Sequence, residues 1–463
     1  MNERMGFTII VAHDDTYGIG LEGRIPWSHP DDLSHFARIT KGGVVIMGRI
    51  TYESIPNGLP GRQVIVLTSS LKWGKDNSDI FVVHTIAEAE KLAYKISSET
   101  SPGRVYIAGG AIVYKEFIQR GLVASAIVTR ISGDYGCDCH FPVLQNYYVA
   151  HRSKSHTDPA LVYETHIARR NPCESSYLRL VKNAIEHGVR RSDRTGTGTR
   201  SVFGASLRFD LSNNTMPLLT TKRVFWRGLV EELLWFLRGE TDSKTLAALG
   251  VNIWNANGSR KFLDERGLYD YPVGELGPVY GHQWRHFDKP YCADSIEKTK
   301  TKYVDQIRYV IDLLRRDPTT RRALLSAWNP NQLGEMALPP CHVSYHFMIG
   351  SDRDLHCVTY QRSGDLGLGV PFNIASAALL THLVAYATGT HATGLVINLG
   401  DAHVYENHIE PLQRQLRRVP RSFPKVTIDP SVPKDTIWTA KSAQILLSEY
   451  DPCTGVIRMK MAV

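Results

Sequence analysis

The chain has 463 residues, 43% of them hydrophobic and 22% charged, with a formal net charge of +8. That length exceeds one ordinary core and predicts two or more domains, and the composition, near soluble globular averages, excludes a low-complexity or fibrous chain. The positive charge suits anionic partners, but the absence of a consecutive Lys and Arg block argues against nucleic acid.

The apolar run Phe7–Ala12 is too short to span a bilayer and lacks a signal-peptide pattern, so no membrane partner is expected. It opens a series of short apolar runs bounded by turn residues: Val44–Met47, Gln63–Leu67, Phe81–His84, Arg104–Ala108 and Ser125–Thr129. Helical patterns lie between several of them, at Ile86–Ser97 and Ala111–Arg120, and Pro30 suits the first turn of a helix reaching Ile39. This alternation predicts an α/β domain with a mostly parallel twisted sheet and flanking helices. A polar break at residues 166–176 then precedes a helix over Tyr177–Glu186. Beyond it, helices over Arg227–Leu237 and Tyr303–Leu314 mix with strands over Val343–Ile349 and Leu355–Tyr360, predicting an α+β domain. The expected domains are residues 1–168 and 169–463.

Seven cysteines include no CxxC pair, and Cys137 and Cys139 flank a single residue, poor spacing for zinc. No metal is expected, and reduced thiols fit a cytoplasmic protein.

In the first domain Asp32, Phe36 and Ile39 share one helical face. A carboxylate there is either a helix N-terminal acid satisfying backbone N–H groups or a buried acid that binds and helps protonate a cationic ring. Gly109–Gly110, between a strand and a helix, is either a tight turn or a close approach to a phosphate. Gly48–Arg49 repeats that placement, which favours a phosphorylated cofactor.

In the second domain Cys341 follows two prolines and precedes a strand, as a small buried hydrophobe or as a nucleophile made reactive by cations. Arg194 in a glycine–threonine loop, Arg321–Arg322, and Arg362–Ser363 match phosphate oxygens. Glu232 shares a helical face with Leu229, Leu233 and Phe236, either pairing an arginine or shuttling protons from a site that disfavours its charge.

The segments Ile10–Ala12, Gly18–Gly20, Ile25–Trp27, Val45–Arg49, Thr51–Pro56, Leu59–Arg62, Val105–Gly110 and His140–Pro142 together resemble dihydrofolate reductase. The resemblance implies that Asp32, supported by Thr129, anchors a pterin and promotes its protonation. Phe36 and Ile55 would line the folate pocket, and Arg62 would take the tail carboxylate. NADPH would lie across Ala12, Ile19, Gly48, Arg49, Ile50, Thr51, Thr68, Ser69, Gly109, Gly110, Ala111 and Tyr114, with Arg49, Ser69 and Lys72 meeting its extra phosphate.

The segments Asp193–Thr199, Leu219–Arg223, Glu232–Gly239, Gly277–Arg285, Arg321–Asn329, Leu338–His342, Tyr360–Ser363, Gly367–Ser376, Leu399–Tyr405 and Met461–Val463 resemble thymidylate synthase. This implies that Cys341 adds to C6 of dUMP, whose C5 then takes the carbon of 5,10-methylenetetrahydrofolate. Arg194, Arg362 and Ser363 would bind the phosphate, joined by Arg321 and Arg322 of the other subunit of a homodimer. Gln361, Asp365, Asn373, His403 and Tyr405 complete the expected dUMP site. Lys222, Trp254, Asp365, Phe372 and Val463 would hold the folate, and Glu232, Tyr280 and His342 would organise proton transfer. An amide at Asn373 pairs with uracil O4 and N3–H, which distinguishes dUMP from dCMP.

The fused resemblance is to bifunctional dihydrofolate reductase–thymidylate synthases. A second reading keeps one half as a degenerate scaffold or RNA-binding module; both residue sets are complete, which disfavours it.

Overall fold

The computed structural model describes residues 6–74, 77–100, 104–193, 196–291 and 303–461. The chain divides into two compact units. One runs to Arg170 and takes in Arg417–Arg421 and Cys453–Gly455; the other comprises Asn171–Leu416, Ser422–Pro452 and the residues from Val456.

The first unit contains β1 (Phe7–His13), β2 (Gly18–Gly20), α1 (Pro30–Thr40), β3 (Val44–Gly48), α2 (Arg49–Glu53), β4 (Gln63–Leu67) and β5 (Ile80–Val83). It continues with α3 (Ile86–Thr100), β6 (Val105–Ile107), α4 (Ala111–Gln119), β7 (Val123–Ile131), β8 (Cys139–His140), β9 (Tyr147–Lys154) and β10 (Leu161–Ala168). Its eight-stranded sheet has the order β5-β4-β3-β6-β1-β7-β10-β9. Every pair from β5 to β7 is parallel, and β10 runs antiparallel to both β7 and β9. Val44–Met47 and Val64–Val66 are buried as continuous runs, as strands covered on both faces must be. The sequence reading foresaw no antiparallel edge. β9 is exposed beyond its first residue and turns polar after Ala150, as an edge strand does, and Arg152 Nε donates to Glu164 Oε1 of β10 at 2.8 Å.

The second unit contains α5 (Pro172–His187), β11 (Val189–Arg191), β12 (Thr199–Asp210), α6 (Trp226–Arg238), α7 (Ser243–Ala248), α8 (Arg260–Glu265), α9 (Tyr280–His286) and α10 (Gln306–Arg316). After these come β13 (Leu324–Ser326), β14 (His342–Ile349), β15 (Asp354–Asp365), α11 (Gly369–Thr388), β16 (His391–Tyr405), α12 (Ile409–Gln415), β17 (Lys425–Ile428) and β18 (Ile445–Ser448). Six strands in the order β11-β12-β16-β15-β14-β13 form its main sheet, in which only β15 and β16 pair in parallel. Helices α5 and α11 pack on this sheet. α11 is long and apolar enough to cross a membrane, but 83% of its apolar window is buried in the core. The other sheet face carries one transverse row, Leu324–His346–Val358–Val396–Arg208, with Tyr360 in the next. Leu324, Val358 and Tyr360 are exposed, and Phe203 on β12 is 83% exposed.

The expected polar break contracts to residues 169–171, because β10 extends to Ala168 and α5 begins at Pro172. Asn171 caps α5, its side chain accepting from Cys173 N (3.0 Å) and Glu174 N (3.2 Å). One turn in, Glu174 is fully buried and accepts from Thr220 N, Thr220 Oγ1, Thr221 N and Thr221 Oγ1, at 2.6–3.0 Å. That carboxylate fixes the loop leading to Lys222. Glu174→Ala strands four buried donors and is expected to lower the stability of this unit by about 3 kcal/mol or more, read as a fall in its urea midpoint.

Two candidate active sites

In the first unit the carboxyl ends of parallel strands β1, β3 and β6 converge. Asp32, in the first turn of α1, has its carboxyl raised by burial, against a hydrogen bond from Thr129 and the charge of His29. Thr129 is buried on β7 opposite Ala12 of β1. Phe36, Ile55 and Ala12 are half-buried. Arg62 is tied to the end of α1, its guanidinium donating to Thr40 Oγ1 (2.9 Å), Pro60 O (2.8 Å) and Ala37 O (2.8 Å).

Gly48 and Gly110 stand immediately before α2 and α4, side by side, with Gly48 N donating to Gly109 O at 2.8 Å. Gly109 has φ 114°, a conformation open to glycine, and a Cβ on Gly110 would lie 3.3 Å from Thr51 Oγ1. Ala111 begins α4, and buried Tyr114 donates to Ile10 O at 2.8 Å. Ile19 packs at the edge of the core, Thr68 is buried, and Ile50 and Ser69 are exposed. Arg49 faces a carboxylate that the sequence reading did not weigh: it pairs with Glu53 at 2.8 Å, and Glu53 also accepts from Trp73 Nε1 at 2.8 Å.

In the second unit Cys341 lies at the entry to β14. Its N–H donates to the Tyr280 hydroxyl at 2.7 Å, and its carbonyl accepts from Arg362 N at 2.9 Å. The Arg362 guanidinium donates to Pro340 O (2.9 Å) and Pro339 O (3.0 Å) and stacks 5.6 Å from the ring of Trp328, a neighbour the sequence reading missed. Burial pushes the Cys341 thiol up, and among the described residues Arg362 is the cation that opposes this. Among the described residues, Arg362 is thus the guanidinium of the expected set that acts on the thiol. Arg321 and Arg322 are exposed in the loop before β13, while Arg194, like Val463, lies outside the described residues.

Glu232 on α6 accepts from Trp254 Nε1 at 2.8 Å, and burial raises its carboxyl to about 7 against that bond. Tyr280 is buried among Phe236, Trp254 and His342, with its phenol raised by burial. His342 receives or donates a bond at Nδ1 with Tyr345 OH (2.9 Å) and is lowered to about 4 by burial, so its ring is neutral. Gln361 Nε2 donates to Asn373 Oδ1 (2.7 Å) and to Ser363 O (2.9 Å), which orients the amide of Asn373 at the start of α11. Ser363 pairs with Asp401, and Asp365 with His403, across β15 and β16; the His403 and Tyr405 rings meet edge-on. Asp365 accepts from Gly367 N at 2.8 Å and stays below the usual carboxylate range despite burial, through bonds from His408 and Gly367. Lys222 donates to Gly367 O at 2.5 Å beside it, lowered to about 8 by burial, and Phe372 packs at the core edge.

Residues 6–170 match the family model for dihydrofolate reductase, and residues 175–463 that for thymidylate synthase. The chain belongs to the bifunctional dihydrofolate reductase–thymidylate synthases. It is 40% identical over 442 residues to the bifunctional enzyme of Paramecium tetraurelia, covering 92% of this chain and 93% of that one. It is 42% identical over 459 residues to that of Leishmania major, covering 90% and 88%. It is 38% identical over 516 residues to that of Zea mays, covering 99% and 97%. The enzyme therefore carries both activities, and the reading of one half as a degenerate scaffold is not favoured. Among the described residues no group of three or more His, Cys, Asp or Glu could hold a metal ion.

The Trp254 N–H stabilises the charged form of Glu232. Trp254→Phe removes that donor, so the Glu232 limb of the synthase pH–rate profile should move to higher pH, with the reductase profile unchanged.

Proposed function

We propose that the second unit methylates dUMP through a Cys341 adduct and that the first reduces the resulting dihydrofolate with NADPH. The observation that carries this is a thiol held by two backbone bonds on rigid elements, with Glu232 at about 7 nearby. The Cys341 sulfur attacks C6 of the uracil, making a bond to sulfur and placing the electron pair at C5 and O4. C5 then bonds to the methylene carbon of the folate as that carbon's bond to N10 breaks and N10 takes a proton. Glu232, with the neutral His342 and the Tyr280 hydroxyl, orders the water through which the C5 proton leaves, and the electron pair so released breaks the methylene–N5 bond, leaving an exocyclic methylene on C5 that takes the hydride. Loss of sulfur from C6 accompanies hydride delivery from tetrahydrofolate, giving dTMP and dihydrofolate. Arg362 and Ser363 hold the phosphate with Arg194, and the ordered Asn373 amide reads the pyrimidine edge with Gln361 behind it. His403 and Tyr405 hold the ribose. Trp254, Asp365, Phe372 and Val463 hold the folate ring and Lys222 its tail.

In the first unit Asp32 anchors the pterin and, with its carboxyl raised by burial, helps bring a proton to N5. Thr129 fixes its orientation, Phe36 and Ile55 flank the ring, and Arg62 takes the tail carboxylate. The residues fit a dinucleotide: glycines open the backbone at the start of α4, where N–H groups and the positive helix end favour phosphate. When bound, NADPH supplies the hydride. Ala12, Ile19 and Tyr114 border its nicotinamide end. Gly48, Arg49, Ile50, Thr51, Gly109, Gly110 and Ala111 hold its phosphates, with Thr68 and Ser69 beyond. Arg49 meets the extra phosphate, leaving Glu53 to Trp73.

The working form is a homodimer. The exposed Leu324 and Val358 of that row, with Tyr360 in the next, form apolar surface on a sheet face that a second copy would cover. Arg321 and Arg322 border β13 at the end of that row, free to reach the partner's Cys341 site. The compartment we infer is the cytosol, consistent with free cysteines.

Two experiments test this. Cys341→Ser should abolish dTMP formation and spare dihydrofolate reduction by NADPH, and Asp32→Asn should do the reverse; loss of both activities in either variant would refute the division of labour. For the dimer, Cys341→Ser and Arg322→Glu should each lack synthase activity, whereas their mixture should regain about a quarter of it through statistical exchange of subunits. A mixture as inactive as its components would place Arg322 in its own subunit's site.

A further inference from the structure

Behind Asp365 lies a buried histidine that the mechanism above does not use. His408, in the turn between β16 and α12, has a side chain with no exposed surface. Its Nε2 lies 2.7 Å from Lys460 O near the chain's end. A carbonyl only accepts, so Nε2 carries a hydrogen. Its Nδ1 lies 3.6 Å from Asp365 Oδ1 and has no other hydrogen-bond partner. As a bare lone pair it would face a carboxylate; with a proton it completes a charge-assisted pair.

Gly367 is where these groups meet. Its N–H donates to Asp365 and its carbonyl accepts from Lys222. A Cβ placed on it would lie 2.6 Å from His408 Nδ1 and 3.0 Å from Met459 Sδ, so the absence of a side chain lets the histidine and the C-terminal segment close on the Asp365 loop. The Tyr405 ring covers His408 edge-on at 5.5 Å.

We propose that His408 is a positioning residue of the synthase: protonated, it ties the Asp365 carboxylate to the C-terminal segment at Lys460, and so sets affinity for the folate. This rests on the reading that Asp365 holds the folate ring. The groups facing the pair are Lys222, Tyr405, His403 and Tyr177. Burial acts to lower His408, but the bond to Asp365, the Lys460 carbonyl and the carboxylate charge outweigh it and the opposing Lys222, leaving it raised. Deprotonation therefore comes as pH rises, and the tie is lost on the alkaline side.

The test uses the full-length enzyme. His408→Gln keeps a donor for Lys460 O but loses the Asp365 side; His408→Asn keeps a donor near Asp365 but loses Lys460. Both should raise KM for methylenetetrahydrofolate roughly tenfold, leave KM for dUMP unchanged, and speed hydrogen exchange in the 458–461 segment. Reductase activity, which does not involve this site, reports that each variant is folded. In wild type KM for the folate should climb as pH rises, and in His408→Gln that climb should shrink to the part that Lys222, lowered to about 8 by burial, contributes. An unchanged folate KM in both variants, or a climb in His408→Gln as large as in wild type, overturns the proposal. Asp365→Asn is the companion: a raised folate KM there with unaffected His408 variants defeats the inference alone, whereas no change there defeats the folate reading beneath it.

Discussion

The chemistry of the second unit depends on how the backbone of Cys341 is held. Its N–H ends on the Tyr280 hydroxyl and its carbonyl on Arg362 N, so α9, β14 and β15 jointly fix the sulfur. Arg362 then turns its guanidinium back onto the carbonyls of Pro339 and Pro340, which places its charge beside the thiol as well. Among the described residues Arg362 does not overcome burial, and the thiol stays raised. In the homodimer we propose, the exposed Arg321 and Arg322 of a second subunit would bring further positive charge to that thiol.

The two units use a common device for their acids. Asp32 and Glu232 each sit on a helix, each is raised by burial, and each keeps one side-chain donor, Thr129 or Trp254, that holds back the shift. Burial disfavours the charged carboxylate; a hydrogen bond from the single side-chain donor opposes that shift and fixes the carboxyl's orientation. Asp365 is the contrast. Its backbone donors and the nearby His408 overcome burial and keep its carboxyl below the usual range, which fits the binding role we propose for it.

The sequence made the parallel strands legible because strands buried on both faces are continuous apolar runs. It concealed β9, whose second half is polar and which is exposed beyond its first residue, and the polar break reads too long because Asn171–Pro172, a capping signal, has the composition of a loop. The candidate residues could be named from motifs, but their state could not. That burial would outweigh Arg362 at Cys341, that Glu53 would occupy Arg49, and that Trp328 would flank Arg362 all depend on tertiary placement. His408 belongs to the same class: only packing around Gly367 brings it between Asp365 and Lys460.

The most direct measurement is mass spectrometry of the full-length enzyme after incubation with methylenetetrahydrofolate and a dUMP analogue whose C5 carries fluorine, which cannot leave as a proton does. The account predicts a stable adduct, nucleotide plus folate, on the peptide bearing Cys341. An adduct on any other cysteine, or none on a dimer that makes dTMP, would contradict it.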